Sequence, residues 1–151
     1  METALSVSPR FDELTIDANG AEVRRASEWL DTTCRQRDVP QPLAERLVIC
    51  LNEVLANIIN HGGRTALSVP VRLLLEVRLD QDCSKASVTV SDAGMAFDPL
   101  SVPKRVAPKT LAEATPGGLG LVMIRHCADW LDYRHADGRN HLTFGARWSP
   151  Q

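Results

Sequence analysis

Residues 51–62 read LNEVLANIINHG and set one carboxylate and two of the segment's carboxamides, Glu53, Asn57 and Asn60, at steps of four and three residues. That spacing stacks side chains on one face of a helix. At about 100° per residue Arg46 joins the same narrow sector, while Leu47, Leu51, Val54, Leu55 and Ile58 cover the opposite side. Clustered oxygen donors of this kind suit a hard divalent cation, although a stripe that merely faces water has the same pattern. A second segment, residues 87–98 (SVTVSDAGMAFD), is expected to be a strand running into a glycine turn. Val88 and Val90 share a face by the two-residue period of a strand, and Asp92 has their parity, so its carboxylate is expected to point toward the apolar side. A buried carboxylate needs a donor, and a ligand amino group can serve. Gly94 is expected to permit a positive φ and the close approach of a flat ligand. The competing reading of DxG is an aspartate that ends a strand and caps the turn after it. A third segment, residues 115–129 (TPGGLGLVMIRHCAD), sets Gly117, Gly118 and Gly120, with Leu119 and Leu121 between and after them, at the start of an apolar helix. Free backbone amides there favour an anion such as phosphate.

Taken in order, these segments resemble the Bergerat-type ATPases, a group that includes sensor histidine kinases, type II topoisomerases and a heat-shock chaperone. The stand-alone branch, the anti-sigma-factor serine kinases of bacterial partner-switching systems, is the nearest in pattern. Glu53, Asn57, Asn60 and His61 look like that branch's N box, DAGMAFD its first glycine box, and GGLGLVMIRHCAD its second. The likeness runs from about Phe11 to Trp148, and YRHADGRNHLTF resembles the family's closing hairpin.

The resemblance implies ATP and Mg2+ as cofactors. It makes Asn57 the magnesium ligand and Glu53 the general base, which would orient or deprotonate a serine hydroxyl directly or through a magnesium-bound water. Asp92 would accept from the adenine amino group, Gly94 would shape the base pocket, and Asp98 would order the entrance to the lid. Gly117, Gly118, Leu119, Gly120 and Leu121 would wrap the phosphates, Asn60 would lie at the nucleotide, and His61 would lie near phosphate or cap the helix end. Residues 99–116, with Lys104, Arg105 and Lys109, correspond to the flap over the nucleotide. This sequence departs from many relatives in the final hairpin: where they place a threonine that helps hold adenine through water, it has Arg139, Asn140 and His141, with Thr143 further on. Pro116 would stiffen the lid hinge relative to members with a more flexible residue there.

The implied function is an ATP-dependent serine kinase that phosphorylates an anti-anti-sigma antagonist and sequesters a sigma factor or another target. The alternative is a nucleotide-binding interaction module that controls its partner by occupancy. A helix bearing Arg24, Arg25, Glu28 and Asp31 presents a charged outward face and is a candidate for partner contact. Family members often form homodimers, which the sequence leaves open here.

The elements that must position these residues follow from periodicity. A strand is expected over Arg10 to Ile16 and a helix over Gly20 to Arg37, with a break from Asp38 to Pro42 ahead of the Glu53 helix. A loop is expected through Gly62, Gly63 and Ser68. Strands follow at Val71 to Leu79 and Ala86 to Asp92, then a helix from Leu119, then strands near Leu131 to His135 and His141 to Trp148 with Asp137 and Gly138 at their turn. The layering is an α/β (α+β) two-layer sandwich of the Bergerat type, a mixed or antiparallel sheet with helices packed on one face. With 151 residues, 44% of them hydrophobic, the chain is expected to form one domain over residues 1–151. A net charge of -2 with 17 scattered basic residues argues against direct binding of nucleic acid. Cys34, Cys50, Cys83 and Cys127 lack CxxC spacing and read as reduced core thiols. The sequence has no apolar run of the roughly 20 residues a membrane span needs, nor a signal-peptide pattern, so a cytoplasmic location is expected.

Overall fold

The computed structural model describes residues 8–96 and 124–149. Its elements in chain order are β1 (Arg10–Ile16), α1 (Gly20–Gln36), α2 (Gln41–His61), α3 (Gly63–Ser68), β2 (Val71–Arg78), β3 (Ser84–Asp92), β4 (Trp130–Ala136) and β5 (Arg139–Trp148). Residues 124–127 form a helical turn that leads into β4.

Local chemistry sets where the helices start and stop. Asn19 caps α1 by accepting from the Glu22 amide at 3.0 Å, which satisfies a donor that the first turn leaves open, and Glu22 reaches back to the Asp17 amide ahead of the helix. The helix ends where Asp38 takes φ 61°, a left-handed conformation that redirects the chain. Pro40 and Pro42 then open α2, where a proline amide is not missed. The expected loop at Gly62 to Ser68 is instead α3. Gly62 stays right-handed, Gly63 turns the chain at φ 79°, and Ala66 buries itself against Gly62, which gives one short turn of helix an anchor. A single buried position leaves no period for sequence reading to find.

The strands form one sheet in the order β1-β2-β3-β5-β4, with every neighbouring pair antiparallel. Register places Leu73, Val90 and Leu142 in one cross-strand row and Leu75, Val88 and Phe144 in the next, all on the same face. Against that face pack Ala26, Leu30 and Cys34 of α1 and Leu47, Cys50, Leu51, Val54, Leu55 and Ile58 of α2. The other face carries Glu76, the Thr89–Thr143 hydroxyl pair at 2.7 Å, and Ser91 paired with His141 at 2.7 Å. The two-layer arrangement expected from the alternation is therefore the one found. At the β4–β5 turn Asp137 and Gly138 both take positive φ, the geometry that lets a two-residue hairpin follow strand twist.

All four cysteines are free. Burial pushes the thiols of Cys34 and Cys50 up to about 12, which leaves them as unreactive packing groups. No described helix is long and apolar enough to cross a membrane.

Candidate functional site

Asp92, the last residue of β3, is buried at 7% exposure on the helix-facing side of the sheet, as its parity required. Its Oδ1 accepts from the Gly94 amide at 2.8 Å and from Asn140 Nδ2 at 3.2 Å. The first of these is the turn cap that the competing reading of DxG anticipated. Among the described residues both hydrogen bonds fall on the same oxygen, so Oδ2 keeps its acceptor capacity for a donor of another kind.

Gly94 serves the site differently from expectation. Among the described glycines positive φ occurs at Gly63 and Gly138, and Gly94 is used for close approach instead. A Cβ there would lie 2.8 Å from Asp92 Oδ1, 3.0 Å from the Gly62 carbonyl oxygen and 3.1 Å from Gly62 Cα. The Met95 amide donates to that same Gly62 carbonyl at 3.3 Å. The turn after β3 is thus fastened to the C-terminal end of α2, one to two helical turns from Asn57 and adjacent to His61.

On α2, Glu53 and Asn57 are half-buried, while Asn60 and His61 are exposed. Arg46 departs from the rest of its stripe. Its Nε donates to the Cys127 carbonyl at 2.8 Å and its Nη2 to Asp129 Oδ1 at 2.9 Å. Cys50, one turn on, sits 3.9 Å from the Ile124 carbonyl. The N-terminal part of this helix face therefore holds residues 124–129, and Glu53 and Asn57 continue the same face. Burial raises the Asp129 carboxyl, but the Arg147 amide and the Arg46 guanidinium outweigh it and hold the group below its ordinary value.

Among the described residues no group of three His, Cys, Asp or Glu side chains is placed to hold a metal. A protein cage is not what magnesium asks for: it keeps several waters and takes one or two protein oxygens together with phosphates, so a stripe of one carboxylate and one carboxamide fits it. Asp98, the segment 99–116 with Lys104, Arg105 and Lys109, Pro116, and Gly117, Gly118, Leu119, Gly120 and Leu121 lie outside the described residues. The same holds for the start of the helix expected from Leu119.

Sequence reasoning placed Asn140 in the hairpin stretch where relatives carry an adenine-holding threonine but gave it no role at the site. It is buried at 6% exposure directly across β5 from Asp92, and its Nδ2 also donates to the carbonyls of Gly94 at 3.3 Å and Met95 at 2.9 Å. The register that sets the two side by side pairs residues 48 apart in the chain, and no local pattern carries it.

An antiparallel sheet covered on one face by α1 and α2, with a polar helix face fastened to a strand-end aspartate, defines a kinase-like ATPase domain. Residues 16–145 match the histidine kinase-like ATPase domain family, and the chain belongs to that family. One relative, the serine/threonine-protein kinase BtrW of Bordetella bronchiseptica, is 28% identical over 145 residues, which cover 96% of this chain and 99% of BtrW. The crystal structure of the RsbU and RsbW domains of a Mycobacterium tuberculosis protein has the same fold, with a TM-score of 0.64 at 16% identity over 90% of this chain. This chain spans 31% of that longer one. The kinase-like ATPase resemblance of the motifs is thus borne out at the level of the family, and BtrW is described as a serine/threonine-protein kinase.

Proposed function

We propose that this chain is an ATP-dependent serine protein kinase and anti-sigma factor of a bacterial partner-switching system. It acts in the cytoplasm as a single ATPase domain, phosphorylates a serine of an anti-anti-sigma antagonist, and holds a sigma factor or another target protein. The observation that carries the reading is Asp92, buried at a strand end with one oxygen committed to the protein, fastened through Gly94 and Gly62 to the helix that bears Glu53 and Asn57. Recognition of a purine amino group at Asp92 and of phosphates beside α2 then falls within one continuous surface.

Asn57 supplies the carboxamide oxygen for magnesium, whose chemistry is to neutralise phosphate charge and align the γ-phosphoryl group. Glu53, one turn earlier on the same face, orients the serine hydroxyl and takes its proton as the oxygen attacks phosphorus and ADP leaves. Asn60 and His61 lie at the helix end toward the phosphates. By the family resemblance, Gly117, Gly118, Leu119, Gly120 and Leu121 would offer backbone amides to them, and Asp98 and residues 99–116 would form the flap over the nucleotide. BtrW, described as a serine/threonine-protein kinase and matched over 99% of its length, supports this reading.

The test is to mix the protein with Mg-ATP and the antagonist encoded beside it and look for phosphoserine by mass spectrometry. Glu53→Ala is expected to lower transfer by roughly 10²–10⁴-fold with ATP binding retained. ATP binding by the wild type with no transfer under any condition would replace the kinase with a switch that works by occupancy.

A further inference from the structure

Asn140 has an amide orientation fixed from both ends. Its nitrogen faces three oxygens with no hydrogen to give, Asp92 Oδ1 and the carbonyls of Gly94 and Met95. Its oxygen accepts from the hydroxyl of Tyr133, the chain's only tyrosine, which reaches it from β4. Turning the amide over would set its oxygen against three acceptors, so Asp92 and the two carbonyls fix the polarity, and the Tyr133 hydroxyl, which donates to the amide oxygen, anchors the other end. The consequence falls on Asp92. With the Gly94 amide and Asn140 both donating to Oδ1, that oxygen is saturated, and the carboxylate meets a ligand through Oδ2 as an acceptor.

We infer that Tyr133 and Asn140 are positioning residues that make the purine pocket select an amino group over a keto oxygen at C6. This rests on the nucleotide-site reading and extends it from binding to selectivity. An amino purine offers an N–H to Oδ2. A 6-keto purine turns an acceptor toward an acceptor and leaves the carboxylate unpaired, the mismatch that discriminates most sharply in buried sites. Asn140→Asp replaces the donor with a second carboxyl group, so the two acids must share a proton, and when Asp92 carries it the carboxyl acts as a donor as well as an acceptor. Tyr133→Phe removes the donor to the amide oxygen and loosens the side chain that holds Asp92.

The experiment is calorimetric titration of the full chain with Mg-ATP and Mg-ITP, two nucleotides that differ at the purine C6 edge and share the ribose and triphosphate. Wild-type protein is expected to prefer ATP by about tenfold to a hundredfold, the range of a hydrogen bond to a charged group. Asn140→Asp is expected to bring the ratio to within a few-fold of one, and Tyr133→Phe to cut it about threefold or more. A purely structural role would weaken both nucleotides equally and leave the ratio intact. That result in both variants, each folded by circular dichroism, overturns the inference while the nucleotide site stands. If Asn140→Asp does not fold, the ratio for Tyr133→Phe decides. Wild-type protein that binds neither nucleotide overturns the nucleotide-site reading itself, and the selectivity with it.

Discussion

Asp92 and Glu53 occupy half-buried or buried ground for opposite reasons. Asp92 is held by donors that fix its geometry, while Glu53 and Asn57 stand ready on a helix face whose neighbouring stretch Arg46 occupies structurally. Asp92→Asn keeps the shape but turns one acceptor into a donor, beside the Gly94 amide and the Asn140 amide. ATP affinity is expected to fall roughly tenfold to a hundredfold by calorimetry, with little change in thermal midpoint. An unaltered affinity would remove Asp92 from the purine contact. Which way this carboxylate points was legible from strand parity alone. That Asn140 would meet it was not, because the contact depends on the register of β3 against β5.

The glycine contact between the end of α2 and the turn after β3 brings the two halves of the site together. Gly94→Ala would drive a methyl to 2.8 Å from Asp92 Oδ1 and 3.0 Å from the Gly62 carbonyl. Overpacking of that kind costs about 1–3 kcal/mol, so the thermal midpoint should drop and ATP binding weaken with it. At Gly20, where an added methyl meets nothing within 4 Å, alanine should leave both unchanged to within about half a kcal/mol. Equal behaviour of the two variants in a thermal-shift assay would refute the close-approach argument. The strands and both long helices were legible from period and capping signals, to within a residue or two at most ends. The short α3 was not, since one buried alanine and a glycine turn at Gly63 hold it in place of any repeating pattern.

Across the molecule, two ion pairs join separate elements: Arg37 at the C-terminal cap of α1 with Asp12 of β1 at 2.8 Å, and Arg46 of α2 with Asp129 at 2.9 Å. The Arg37 guanidinium holds the Asp12 carboxyl below its ordinary 3.8, and Asp129 is likewise lowered. A carboxyl with a depressed folded value contributes stability that is complete above its unfolded value and is lost as pH falls through the folded one. The urea midpoint should therefore decline from about pH 4 downward, and Asp129→Asn should lower it at pH 7 and flatten that decline. An identical slope in wild type and variant would dismiss Asp129 as a contributor. On the outer surface the Arg24–Glu28 pair spans 3.8 Å between side chains 86% and 74% exposed, a geometry that adds little to folding. Arg24→Glu can thus test α1 as a partner surface without unfolding it. Affinity for the antagonist or the held target should fall about tenfold or more in pull-down titrations, and unchanged affinity for both would exclude this face.

The order of the polar stripe, the DxG turn and the glycine-rich segment along the chain determined the family, because each is a local pattern whose chemistry is written in neighbouring residues. Periodicity determined the two layers, because burial on one face imposes a repeat that any reader of the sequence can count. Only the tertiary structure decided that Arg46 leaves the stripe to tie down residues 124–129, that Gly94 matters for the space it leaves empty, and that Tyr133 and Asn140 fix Asp92. Each of these joins residues brought together by strand register or helix packing, and the energy of such contacts resides in distances that no single stretch of sequence contains.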